Sequence, residues 1–304
     1  SDVERFKKIL EGRKRNWTIE VRQNPDPSLG RIIIAGDWYG NIDAAKLLLK
    51  DICDAWPKKK RVNFLITCGG FIHFPWPNSL SNLEVGNPVF PDSGAVEFLA
   101  ERARRNVELL LTKSLCSRLE KCTRYVTIGI DTSKNKISVT RNYIGEPHIE
   151  LVFLIDLKER TYRWTGKSYP TPNQERGLVR TVDLETHFFE SDFGKVLILG
   201  CHDLTIFHPR SDATAKGWRK EVKDEFKLLA KKKDPSIVLQ HPHTTDSSRI
   251  WVHAWNSLVR LLPNVKEYAS AGRYFNKGKP CRSELLDVLR KTKCADTIDF
   301  VVRI

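Results

Sequence analysis

Continuous apolar stretches such as Ile32–Ile34, Val152–Ile155 and Val196–Leu199 are strand-sized and far below a membrane span. They predict strands buried on both faces over Arg31–Ala35, Val62–Thr67 and Lys195–Gly200. Between the first two, Ala44, Leu47, Leu48 and Ile52 recur at helical spacing and predict a helix over Asp43–Ala55. The Pro-, Asn- and Ser-rich stretch Phe74–Asp92 reads as a long loop, and a helix follows over Ala95–Leu119, capped by Asp92 or Ser93. From Arg124 the period drops to two, which predicts strands over Tyr125–Ile130, Ile137–Arg141, Glu150–Leu157, Thr161–Trp164 and Val179–Leu184. Helices over Lys216–Lys231 and Ile250–Leu262 flank a strand at Ile237–Gln240, and Thr297–Val302 is the last strand. In the second of these helices Trp251, Trp255, Leu258 and Leu262 form a stripe that reads as core packing. Residues 1–15 read as a short basic helix within an N-terminal extension, residues 1–28, ahead of one domain over 29–304. The pattern predicts an α/β domain of four layers, two β-layers covered by helices.

Composition narrows the class. Hydrophobic residues at 40% and charged residues at 29% describe a globular chain and exclude global disorder or a collagen-like repeat. The opening Ser-Asp-Val-Glu-Arg has no signal-peptide character, and seven cysteines without CxxC spacing predict neither a disulfide framework nor a zinc ribbon, so a cytoplasmic location is expected. The net charge of +14 lies in short clusters, Arg13–Arg15, Lys58–Arg61, Arg102–Arg105 and Lys231–Lys233, with no aromatic interleaving. Nucleic-acid binding is not predicted from it. The absence of methionine carries no functional weight.

The densest chemistry lies in Gly194-Lys-Val-Leu-Ile-Leu-Gly-Cys-His-Asp203. A buried strand delivers Cys201 to its end, where a neighbouring cation or base can turn a thiol into a nucleophile. The N–H of His202 is placed to stabilise an oxyanion, and Asp203 follows. Upstream, Lys167 lies just past a strand, in Gly166-Lys-Ser-Tyr169, where an inward-pointing ammonium can serve both the thiol and the oxyanion. His241 and His243 follow the strand at Ile237–Gln240 and read as polar lining of the same edge.

The order of these segments resembles the nitrilase (carbon–nitrogen hydrolase) superfamily. The run is strand Leu151–Asp156, Tyr162-Arg163, Lys167, Pro172-Asn-Gln-Glu175, then Gly194-Lys-Val leading to Cys201-His-Asp203 and Arg210. The resemblance implies an α-β-β-α sandwich with Cys201 as nucleophile and Lys167 as the oxyanion-stabilising cation. It also implies a small amide or nitrile substrate, no cofactor and no metal, and a homo-oligomer. Tyr169 falls with the pocket residues, and Glu175 matches the family's accessory glutamate. The family's general base, a glutamate in the turn after the second strand, has no counterpart in Cys68-Gly69-Gly70-Phe71. Glu175, or less directly Glu84 in the long loop, stands as its replacement. A scaffold that binds without turnover is the alternative. A further alternative rests on Asp37, His202, Asp203, His241 and His243, which resemble the ligands of calcineurin-like metallophosphoesterases only loosely.

Overall fold

The computed structural model describes residues 16–88, 93–135 and 145–304. The basic helix expected over residues 1–15 with its Arg13–Arg15 cluster, the side-chain cap at Asp92 or Ser93 and the strand Ile137–Arg141 lie outside the described residues. In chain order the elements are β1 (Thr18–Gln23), β2 (Leu29–Ala35), α1 (Ile42–Asp54), β3 (Val62–Ile66), β4 (Ile72–Phe74), α2 (Ser93–Leu110) and α3 (Lys113–Glu120). They continue with β5 (Thr123–Thr132), β6 (Glu150–Asp156), β7 (Thr161–Gly166), β8 (Phe188–Ser191), β9 (Gly194–Leu199), α4 (Pro209–Thr214) and α5 (Trp218–Lys233). The last are β10 (Ile237–Gln240), α6 (Arg249–Leu261), β11 (Glu267–Ser270), α7 (Leu285–Lys291), β12 (Lys293–Cys294) and β13 (Thr297–Arg303).

One sheet runs β1-β13-β2-β3-β5-β6-β7, with β4 added along β5; the other runs β12-β11-β10-β9-β8. Side-chain alternation along each strand then dictates the layers. Ile32 and Ile34 of β2 face the α1–α3 cluster of Leu48, Ile52, Leu99, Val107 and Leu119. Ile33 and Leu29 face the other way, against Val196, Ile198 and Leu239 of the second sheet. The alternate residues Leu197, Leu199 and Val238 pack under Phe226 of α5 and Trp251, Trp255 and Leu258 of α6. The order is helices, sheet, sheet, helices, as the sequence predicts, and the tryptophan stripe is core.

Three expectations need correction. The helix predicted over Ala95–Leu119 is two: Thr112 breaks it, its hydroxyl accepting from the Leu115 N–H as the N-cap of α3. Val179–Leu184 forms no strand; the bridge nearby is at Leu178, just before it, to His148, and a 3-10 turn begins at its end, Leu184–His187. β1 lies inside the segment read as an extension, yet it pairs along its length with β13, from Thr18 opposite Arg303 to Gln23 opposite Ile298. Among the described residues no helix is long and apolar enough to cross a membrane.

The two sheets are tied where their strands end. The His241 ring bonds the Thr67 carbonyl at 2.7 Å and the Gly69 N–H donates to the Pro242 carbonyl at 3.1 Å, joining the end of β10 to the end of β3.

Candidate active site

The ends of β5, β7, β9 and β10 and the start of β6 surround a cavity of about 660 Å³. Lys167, Cys201, His202 and His243 line it, together with Asp131, Glu150 and Gln174. Apart from the thiol, every side chain on its wall is polar or charged.

Lys167 arrives from β7, which pairs antiparallel with β6. Its ammonium is buried and donates to Glu150 Oε2 at 2.9 Å and Gln174 Oε1 at 2.6 Å. An ammonium has three protons, so one remains for another acceptor. Burial alone would lower the lysine's pKa, but the charges of Glu150 and Cys201 outweigh it and hold it above its ordinary value. Glu150 feels the converse. Burial would raise its carboxyl, and Lys167, His243 and His148 together hold it well below the usual range.

Cys201 is fixed from two sides by the end of β10 and the turn that follows it. Gln240 donates to its carbonyl at 3.0 Å, itself held by Ser270, and the His243 N–H donates to its sulfur at 3.4 Å. The His202 N–H has no acceptor among the described residues. The His202 ring lies edge-on to Trp251 at 5.6 Å, and burial together with Lys167 pushes it down to about 4, so it is neutral at pH 7.

Asp203 does not reach the cavity. It is fully buried and its carboxylate accepts from the N–H groups of Ser168 (3.0 Å), Tyr169 (2.8 Å) and Gly200 (3.0 Å). It therefore clamps the chain carrying Lys167 to the chain carrying Cys201. A Cβ on Gly200 would sit 2.9 Å from Asp203 Oδ2 and 3.2 Å from Lys167 Cα, so the clamp needs glycine there.

Tyr169 is also buried away from the cavity, with the Arg219 guanidinium 4.3 Å over its ring. His241 bonds Thr67, and burial pushes it down to about 4. Glu175 points outward to Arg219 at 3.4 Å; its neighbour Gln174 is the residue that reaches Lys167. Cys68, in the turn after β3, is buried with its thiol pushed up to about 11 and is no base. Glu84 does not line the cavity.

Sequence reasoning missed the two carboxylates that are present. Asp131 near the end of β5 and Glu150 at the start of β6 are register partners, so the antiparallel pair places both at one edge. The signal available was an acid near the end of one buried strand and another at the start of the next. The proposed phosphoesterase ligands do not converge: Asp37 pairs with Arg273 at 3.5 Å, Asp203 and His241 hold backbone, and only His202 and His243 face the cavity. Among the described residues no cluster of three or more His, Cys, Asp or Glu is arranged to hold a metal.

The layered fold and its strand-end cavity define an α-β-β-α protein with a thiol and an ammonium at the sheet edges. No family model and no curated protein matches the sequence. Among solved structures the chain is similar to an amidase from Nesterenkonia sp. at 11% identity, covering 83% of this chain and 78% of that one, with a TM-score of 0.43. A mutant of the Nesterenkonia sp. AN1 amidase carrying acrylamide on its active-site cysteine matches at 11% identity over 80% and 78% of the two chains, TM-score 0.44. A CN-hydrolase superfamily protein from Xanthomonas campestris, with an arsenic adduct in its active site, matches at 12% over 82% and 77%, TM-score 0.41.

Proposed function

We propose that the protein is a cysteine hydrolase of small amides, cleaving a C–N bond through a thioester on Cys201. The observation that carries this reading is one cavity lined by the Cys201 thiol and by a buried Lys167 ammonium locked to Glu150 at 2.9 Å. Attack of the sulfur on the amide carbon moves negative charge onto the carbonyl oxygen. The free Lys167 proton and the His202 N–H are the donors for that oxygen, a contribution of about 10²–10³ in rate. Collapse breaks the C–N bond and releases the amine, and water then attacks the thioester carbon and frees the acid. A reducing cytoplasm suits a free thiol in this role.

The test is release of ammonia from a panel of small polar amides by the wild type, Cys201→Ala and Lys167→Met. The reading expects release that disappears with Cys201→Ala, together with alkylation of Cys201 by iodoacetamide ahead of the six other thiols near pH 7. Release unaffected by Cys201→Ala, or no release by the wild type, overturns it and leaves the scaffold to the binding role.

A further inference from the structure

The carboxylates Asp131 and Glu150 face each other across the β5–β6 register, and His243 lies between them. Its Nε2–H donates to Asp131 Oδ2 at 2.6 Å. Its Nδ1 is 3.9 Å from Glu150 Oε2, beyond hydrogen-bond reach, on a residue that lines the cavity. The backbone of the same residue touches the nucleophile, its N–H being 3.4 Å from Cys201 Sγ. The loop is rigidly held: Arg273 donates to the His243 carbonyl through Nε at 3.0 Å and through its own N–H at 3.2 Å, and to Trp38 O at 2.8 Å.

The turn after β3 makes room for this arrangement. A Cβ on Gly70, whose φ is +61°, would lie 2.8 Å from His73 Nε2, 2.9 Å from Asp131 Oδ2 and 3.4 Å from His243 Cδ2. The space a side chain would take at that position is filled by His73 and Asp131, with the His243 ring beside them.

We propose that His243, oriented by Asp131, is the proton carrier of the hydrolysis: as imidazolium it protonates the departing amine through Nδ1, and once neutral it accepts a proton from the attacking water. This rests on the Cys201 reading above. The thiolate attacks the carbonyl carbon and the C=O π pair moves to oxygen. The C–N bond breaks as the nitrogen takes the Nδ1 proton. Water attacks the thioester carbon and gives a proton to Nδ1, the C–S bond breaks to return the thiolate, and the acid product sheds its own proton to solvent.

The charged groups around the ring fit that cycle. Burial opposes the imidazolium, yet Asp131 from β5, Glu150 from β6 and Cys201 after β9 outweigh it and hold His243 well above its ordinary value. Lys167, His202 and Arg273 face it with cationic or neutral groups, and His73 of β4 lies 3.8 Å from the same Asp131 oxygen that His243 bonds.

The experiment compares wild type, His243→Ala, Asp131→Asn and Glu150→Gln by two readouts: iodoacetamide labelling of Cys201 at pH 6, and amide turnover with and without added imidazole. The expected result is a fall in pH 6 labelling of at least tenfold in His243→Ala, and a turnover loss of about 10²–10⁴, the usual share of a general acid–base group. Imidazole should restore turnover at least tenfold in His243→Ala and leave the other variants unchanged. Asp131→Asn, the milder change if His243→Ala does not fold, should lower kcat with KM unchanged and slow the labelling. Wild-type labelling in His243→Ala with no imidazole rescue overturns the proposal while Cys201-dependent turnover keeps the hydrolase reading. So does a Glu150→Gln variant that alone abolishes turnover. If the wild type releases no amine, the hydrolase reading fails, and the labelling ratio still decides whether His243 serves the thiol.

Discussion

Replacing Lys167 by Met keeps the length of the side chain and removes its charge, which isolates the ion pair beneath the cavity. Lys167 Nζ lies 2.9 Å from Glu150 Oε2 with both side chains nearly inaccessible. At an effective dielectric of 20 such a pair attracts by roughly 6 kcal/mol before desolvation. His243, 3.9 Å from the same oxygen, supplies roughly 4 kcal/mol on the same scale and remains in the variant. Orphaning one partner of a buried pair costs about 3–5 kcal/mol. The retained imidazolium, together with the Gln174 amide donating to Glu150 Oε1 at 2.8 Å, places the expected loss at the low end, about 3 kcal/mol. Removing both charges with Lys167→Met/Glu150→Gln should recover about 2 kcal/mol of it, because no buried carboxylate is then left with a missing partner. The pH signature has a definite sign. The Glu150 carboxyl is depressed in the folded protein, so its contribution is complete above the unfolded value of about 4.3 and fades as pH falls through the depressed one. In Lys167→Met that fading should start at higher pH. Urea unfolding of the wild type, the single and the double variant at pH 7 and pH 5 measures all of this. Equal stability of single and double variants, or a single variant as stable as wild type, would refute the pairing.

Arg31 is fully buried and donates to both oxygens of Asp299 at 2.7 and 2.8 Å, to Thr292 Oγ1 at 3.0 Å and to the carbonyls of Leu289 and Ser270. Arg31→Met should therefore cost about 3–5 kcal/mol in urea unfolding, partly recovered by Asp299→Asn. Glu175→Ala should change stability by less than about 0.5 kcal/mol and leave kcat and KM unchanged, since its partner Arg219 holds it outside the cavity; a tenfold fall in kcat would return Glu175 to the site. His241, pushed down to about 4 by burial, binds a proton when unfolded but not when folded between that value and about 6.5. Stability tied to it is complete above about pH 6.5 and declines by up to about 3 kcal/mol as pH falls toward 4. His241→Asn, which keeps a donor for Thr67, should remove about one proton from the pH slope of unfolding across that window.

What the sequence discloses follows from how local each signal is. Ile32–Ile34 and Val196–Leu199 are apolar on both faces, which only a strand between two packed layers requires, and they occupy that place. The break at Thr112 was present as Thr-Lys-Ser-Leu but hidden by Leu110 and Leu111, which carry the apolar pattern through it and are buried. Val179–Leu184 has a strand-like composition, but exposed Val182 shows that no facing layer covers it. At the site, Lys167 and Cys201 were legible because each follows its own strand directly. Asp131 and Glu150 were not, because their meeting depends on the β5–β6 register across a segment that sequence alone leaves unpaired. Gln174 rather than Glu175 facing Lys167 depends on a short 3-10 turn, Pro172–Gln174, whose phase no period reveals.

That register also explains why the four charged groups belong together. Like charges directly opposed across an antiparallel pair repel, and burial makes two facing carboxylates harder to hold ionised. Interleaving offsets the repulsion. Asp131 meets His243, His243 meets Glu150, and Glu150 meets Lys167, so each charge has the opposite sign beside it. His148, 3.5 Å from Glu150 Oε1, and His73, 3.8 Å from Asp131 Oδ2, lie beside the two carboxylates. A charge removed at one end is therefore felt at the other. Neutralising Asp131 withdraws the strongest support of the His243 imidazolium, and through it one of the groups that hold Glu150 ionised. Asp131→Asn should then move the pH at which Glu150 takes up its proton, upward where loss of the imidazolium outweighs the repulsion it relieves, even though the two carboxylates share no bond. Carbon-13 NMR of the labelled glutamate carboxyl during an acid titration reads that pH directly, and an unmoved Glu150 titration in Asp131→Asn would show that the row is a set of separate pairs.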